Sequence, residues 1–393
     1  MKYKFETKTI GDCCDIIKKS IHPEKGQVYT CFSLPAFDNS NTPEILNGEE
    51  IKSSKFVLDE NTILFNKLNP KFRRVWNIHS LEKYENTICS TEFLPLKAKA
   101  NIEQDYLYYY VSSPYFTRLM DGIRTGTSNS QQRIDWKQFL REPINVPSLP
   151  IQRKVVSLLR NIDKKIELNN AINNNLEQQA QAYFDELFVV HADPNWSECT
   201  LSDIGSVVAG GTPSKSKPEY YADQGIAWIT PKDLSVNKSK FISHGENDIS
   251  ELGFSKSSAA KMPAGTILFS SRAPIGYIAI AQNEVTTNQG FKSVIPNENI
   301  STAYMYFLLK NLLPTIEGMA SGSTFKEISG AAMKSVPTVM PDADTIQLFS
   351  SFCEPVFKEQ EILEAENHRL SALRDSLLPK LMSGELDVSD IDL

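Results

Sequence analysis

The sequence predicts an α+β protein: two mixed α/β heads joined by two long antiparallel helices, with a pseudo-twofold internal repeat. Three observations predict it. "NTILFNKLNP" at 61–70 returns, altered, as "GTILFSSRAP" at 265–274. The stretch 126–155 returns at 322–349, with Ile134 on Ile328 and Pro143 on Pro337, both displaced by 194 residues. Finally, two apolar seams of helical spacing follow the two copies in the same register.

The first head is assigned residues 1–150. Within it, "TILF" is β-branched and apolar and reads as a strand. The basic, turn-rich "NKLNPKFRRVW" after it reads as a loop. A Gly-, Ser- and Thr-rich loop, an amphipathic piece and a Pro-punctuated extended piece then lead into a helical pattern. The first long helix is assigned 151–190. Its seam steps by four and three through Val155, Leu159, Ile162, Ile166, Asn173 and Leu176.

The second head, 197–341, opens with "LSDIGSVVAGG" much as the first contains "GDCCDIIKKS". Its strand phrase lies 204 residues beyond that of the first head, so the first copy carries about ten extra residues before its helix. The second long helix is assigned 342–384, with a seam at Phe349, Val356, Leu363, Asn367, Leu370 and Leu377. An acidic tail, 385–393, ends the chain. Asn173 and Asn367 coincide under the repeat and are expected to pair, fixing register as a buried Asn does in a coiled coil. Each helix of about 38 residues would span roughly 57 Å. Folded back antiparallel, the pair would separate two heads like a ruler.

Composition narrows the function. The 393 residues are 41% hydrophobic and 23% charged, with no apolar run of membrane length and no apolar leader at the start, so the cytoplasm is the expected location. The six cysteines include no C-x-x-C spacing and the five histidines are scattered, so no metal site is expected. The net charge of −7 is concentrated at the end: residues 342–393 hold 12 acidic against 4 basic residues. Each head is near neutral, which leaves room for local basic clusters that face phosphate.

Catalytic patterns are missing. The sequence has no Gly-Lys and no Gly-x-Gly, which excludes a Walker loop and the usual glycine-rich cofactor loop. "NPKF" (69–72) and "DPNW" (193–196) approach the Asn/Asp-Pro-Pro-aromatic motif that grips a flipped adenine, but both lack the second proline.

What remains is binding. In the first head Lys67, Lys71, Arg73 and Arg74 stand with Phe72 and Trp76, followed by Thr127, Asn129, Gln132 and Arg133. In the second, the candidates are Thr212, Ser214, Lys215, Arg272, Asn288, Gln289, Ser323, Thr324 and Lys326. Arg and Lys suit guanine edges and phosphates, and Asn and Gln suit adenine edges. The frame repeats while these loops diverge, which suggests two surfaces of one design with different targets.

The chain resembles the specificity (S) subunit of type I restriction–modification systems. The resemblance rests on "GTSNSQQRI" before "INVPSLPIQRKVVSLL", then "GGTPS", "WITPKDL" (228–234), "TTNQGF" (286–291) and "LRDSLLPKLMSGEL" (373–386), in that order. It implies two target-recognition domains, each reading one half of a bipartite site in double-stranded DNA, with the helices as spacer. It implies two methyltransferase (M) subunits docked on the chain and restriction (R) subunits that cleave unmodified DNA. S-adenosylmethionine, ATP and magnesium would then belong to those partners, with no cofactor on this non-catalytic chain. The alternative is a DNA methyltransferase or nuclease carrying its own recognition domains, which would need a catalytic domain that these segments leave no room for. A coiled-coil scaffold that binds only protein is disfavoured by the paired basic and amide loops.

Overall fold

A computed structural model describes residues 4–124, 132–322 and 326–389. The chain divides into two compact units, 1–166 with 369–393, and 167–368. Each unit contains one head and a part of both long helices.

In the first unit, strand Glu6–Thr9 pairs antiparallel with Pro143–Val146, closing the head at its exit. Thr9 then caps a short helix, Ile10–Cys13: its hydroxyl accepts from the Asp12 N–H, and the Asp12 carboxylate accepts from the Thr9 N–H at 2.8 Å. This reciprocal bonding satisfies donors that a helix start leaves bare, and it holds the Asp12 carboxyl below its usual range. A four-stranded sheet follows, in the order Cys14–Ile16, Phe93–Ala98, Thr62–Asn66, Val75–Ile78. A five-stranded sheet runs Ser20–Ile21, Lys55–Val57, Thr87–Ser90, Val28–Phe32, Glu44–Asn47. Its one parallel step joins Val28–Phe32 to Thr87–Ser90.

The second unit repeats this plan. Strand Ser197–Thr200 pairs with Pro337–Met340, and Thr200 with Asp203 repeats the capping box. One sheet runs Gly205–Ala209, Lys292–Pro296, Ile267–Ser271, Ile275–Ala281, Phe241–Ile242. The other runs Tyr221–Ala222, Asn247–Ile249, Ile226–Ile229, Thr286–Thr287, again with one parallel step, Ile226–Ile229 on Thr286–Thr287. "WITPKDL" and "TTNQGF" are therefore neighbours, with Trp228 opposite Thr286. The heads differ at their sheet edges. The first adds Ser20–Ile21 and Lys55–Val57 beside Thr87–Ser90, while the second adds Phe241–Ile242 beside Ile275–Ala281.

Both long helices feed both cores. In the first unit Val155, Leu159, Leu378 and Leu381 pack with Ile63, Leu96, Tyr106 and Phe116. In the second, Ala180, Phe184, Phe349 and Cys353 pack with Ile204, Ile267, Val294 and Phe307. Each fully buried side chain of this size contributes about 1.5–3 kcal/mol. The other expected seam positions, Ile162, Ile166, Leu176, Val356, Leu370 and Leu377, are half-buried, and Leu363 is buried.

The helices run Leu149–Asp185 and Ala343–Ser383. The first starts earlier than expected because Pro150 is tolerated in a first turn. Beyond Asp185 the chain widens into a looser turn, Glu186–Val190, before Asp193-Pro194 ends the pattern. The second ends at Gly384, whose φ of +73° provides the left-handed exit and whose missing Cβ leaves space for the Phe5 ring.

One expectation is corrected. Asn173 does not meet Asn367. Asn367 accepts from Asn169 at 2.9 Å and donates to Asn170 at 2.8 Å, while the Asn173 carbonyl accepts from Gln360 at 3.1 Å. In an antiparallel pair, residues equivalent by the repeat lie opposite each other only where the helices cross, so coincidence under the repeat is not contact. The described part of the acidic tail packs on the first unit. Val388 is 1% exposed in the first core, and the Lys154 ammonium donates to the Ser389 carbonyl at 2.7 Å.

Candidate nucleic-acid interface

In the first head the two candidate loops are joined edge to edge. Leu68 bridges to Arg133, the Asn69 N–H donates to the Gln132 carbonyl at 2.7 Å, and the Ile134 N–H donates to the Lys67 carbonyl at 3.0 Å. Lys67, Lys71, Arg73, Arg74, Gln132 and Arg133 thus share one neighbourhood. Thr127 and Asn129 lie outside the described residues.

The guanidiniums there are already engaged. Arg74 forks onto Asp38 with two 2.7 Å bonds and lies 4.8 Å from the centre of the exposed Phe72 ring. Arg133 forks onto Glu92 at 3.2 and 2.8 Å, which raises its already high pKa. Arg73 donates to the Ser112 carbonyl at 3.2 Å and stands 3.8 Å from Asp375. A fork held by a carboxylate is presented in one orientation, so these groups are ordered before any ligand arrives.

In the second head the candidate loops also converge. The Gly211 N–H donates to the Thr287 carbonyl at 2.9 Å, and a Cβ on Gly210 would collide with the Asn288 carbonyl, so only glycine permits that approach. The Ser271 N–H donates to the Gly290 carbonyl at 2.8 Å, and Arg272 bridges to Glu327. Thr212, Ser214, Lys215, Arg272, Asn288, Gln289 and Lys326 therefore lie on loops that meet. Ser323 and Thr324 lie outside the described residues. Asn288 spends its side-chain oxygen on the Gly290 N–H at 2.8 Å, and Ser214 bonds Ser216. Gln289, Lys215 and Lys326 are exposed.

Each head is also fixed to the long helices by a polar cluster. In the first unit Tyr109 donates to Asp163 at 2.6 Å and Arg374 donates to it at 2.8 Å. In the second, the buried Lys240 ion-pairs with Glu177 and donates to Gln360 at 2.6 Å, and Lys310 reaches Glu177 at 2.6 Å. Burial works against the Glu177 carboxylate, but Lys240 and Lys310 together hold its pKa below the ordinary value.

The sequence reading missed Lys18, Trp136 and Lys137. The Lys18 ammonium sits 4.2 Å and that of Lys137 5.8 Å from the centre of the Trp136 ring. An available signal was the Trp-Lys pair directly after the Gln132-Arg133 loop, with Gly330 and Ala331 at the repeat-equivalent places.

A frame built twice, each copy gathering distant Arg-, Lys-, Asn- and Gln-bearing loops onto one surface, is that of a tandem recognition scaffold. The chain belongs to the type I restriction modification DNA specificity domain family, which it matches over residues 2–178 and 194–372. It is 38% identical over 190 residues to the type I restriction enzyme MjaIX specificity subunit of Methanocaldococcus jannaschii, a match covering 46% of this chain and 44% of that protein. The chain thus spans less than half the length of that relative. It is 24% identical to the HindI specificity subunit of Haemophilus influenzae over 90% of this chain and 96% of that one. In fold it is similar to the crystal structure of a type I restriction–modification S subunit from M. genitalium, with a TM-score of 0.57, 17% identity, and 97% and 96% of the two chains covered. No helix among the described residues is long and apolar enough to cross a membrane.

Proposed function

We propose that this chain is the DNA sequence-specificity subunit of a type I restriction–modification complex. Each head reads one half of a bipartite site in double-stranded DNA. The paired helices set the separation of the half-sites and dock two methyltransferase subunits, to which restriction subunits attach. The chain itself catalyses nothing. S-adenosylmethionine, ATP and magnesium belong to the partners.

One observation carries the reading: the same frame occurs twice, and each time it brings sequence-distant polar loops together while their residues differ. Direct base reading needs side chains of different donor and acceptor pattern on a constant support. The test is to exchange residues 1–150 for those of another family member and map methylated adenines in a host carrying the complex. One half of the methylated sequence should change. A change in both halves would break the modular account, and methyl transfer by the purified chain alone would refute the non-catalytic role.

A further inference from the structure

The first head contains a cluster of cations without counter-charges. Lys18 and Lys137 approach the ring of Trp136, which is 40% exposed. Burial, and then the charge of Lys67, lower the Lys18 pKa. Lys67 is held in place by its backbone, which donates to the Glu92 carbonyl at 3.0 Å and accepts from Ile134. Among the described residues no carboxylate lies within ion-pair distance of these three ammoniums, although Arg73, Arg74 and Arg133 beside them each have one. The nearest acid in sequence, Asp135, spends its carboxylate on the Lys137 N–H at 2.9 Å, capping the helix Trp136–Arg141.

The second head differs at these places. At the positions equivalent to Lys18, Lys67, Trp136 and Lys137 it carries Ala209, Ser271, Gly330 and Ala331. A Cβ at Gly330 would lie in ordinary contact with the Lys292 side chain, whose ammonium is 3.8 Å from Glu327.

We infer that Lys18 and Lys137, which approach Trp136, together with Lys67, whose backbone is bonded to Ile134 two residues before that tryptophan, form a phosphate clamp for one strand of duplex DNA in the first head, at a place where the second head carries no lysine pair. Lysine contacts phosphate as a point charge and carries no base information. An exposed indole offers an apolar face to the sugar between phosphates. The clamp positions the first head on the duplex, while the loops around Arg133 face base edges. This inference rests on the proposed DNA-reading function.

The test uses the full chain, alone and with its methyltransferase subunits, and a 40-bp duplex of random sequence titrated with salt. Each phosphate contact contributes about 0.9 to the slope of log K against log salt. The triple variant K18Q/K67Q/K137Q should therefore flatten the slope by about 2–3, and the Lys→Arg triple should restore it. Trp136→Ala should lower affinity with the slope unchanged. The methylated sequence should stay the same in all of them. A folded Gln triple with the wild-type slope overturns the clamp while leaving the DNA-reading function standing. Lost subunit assembly with an unchanged slope overturns it in favour of an acidic protein surface. Salt-independent or missing duplex binding by the wild type fails the functional reading itself.

Discussion

The two heads share a frame and differ in how they handle charge. At one place in the frame the first head carries Trp136 with Lys18 and Lys137 over it, neither of them ion-paired among the described residues. The second carries Gly330, with Lys292 and Arg272 drawn to Glu327 at 3.8 and 3.4 Å. Burial lowers the Lys292 pKa, Glu327 opposes that, and Arg272 adds to it. Lys292 stands on the strand position that Leu94 fills in the first core, and Glu327 supplies the carboxylate that a buried lysine there needs. The second head carries exposed lysines elsewhere, Lys215 and Lys326 among them on loops. The two copies share their central strand pairing, because backbone donors and acceptors must be satisfied, while their sheet edges and surface charges differ.

The head-to-helix clusters extend the comparison and give its largest expected effect. Glu177→Ala leaves Lys240, which is 8% exposed, without its counter-charge, and should destabilise the second unit by about 3–5 kcal/mol. Asp163→Ala in the first unit should cost less, about 1–3 kcal/mol, because Arg374 keeps Asp375 at 3.1 Å. Denaturant unfolding of both variants checks the order, and equal losses would erase the distinction. Since the Glu177 pKa lies below its ordinary 4.5, its contribution is present above that pH and lost as pH falls through the folded value.

A smaller effect concerns a helix start. Ser113 caps Pro114–Gly122 by accepting from the Phe116 N–H at 3.0 Å, whereas Leu312 precedes Leu313–Met319 without a side-chain cap. Ser113→Ala should cost the first unit about 1 kcal/mol, a penalty with no counterpart in the second. Thermal melting should show it, and no shift would mean that the cap is redundant.

The smallest effect is a pH response of the first unit. The His79 pKa is raised above its ordinary 6.5, mainly by its hydrogen bond to Asp105, against partial desolvation. A raised histidine stabilises the fold below its unfolded pKa, and that contribution is lost as pH rises through the folded value. His79→Asn should therefore weaken the first unit at pH 6 more than at pH 8. An NMR titration placing His79 at or below 6.5 would contradict this.

Much of the site was legible in part. The Lys67–Arg74 and Gln132–Arg133 stretches were visible as loops rich in cations and amides, and they do meet. That Arg74 belongs to Asp38 and Arg133 to Glu92 was not visible, because those carboxylates come from distant elements. Trp136 did not stand out in the sequence; the fold sets Lys18 over it.

The amino-acid sequence alone determined the duplication, the two helical seams, the strand nuclei at Thr62–Asn66 and Ile267–Ser271, and the family. These follow from local periodicity and from similarity at a constant spacing, both of which a linear chain displays. Only the tertiary structure decided that Asn367 meets Asn169 rather than Asn173, which arginines are neutralised, and that two lysines approach one indole. Periodicity fixes which face a segment presents, but the partner on that face depends on antiparallel register and sheet pairing between segments far apart in the chain.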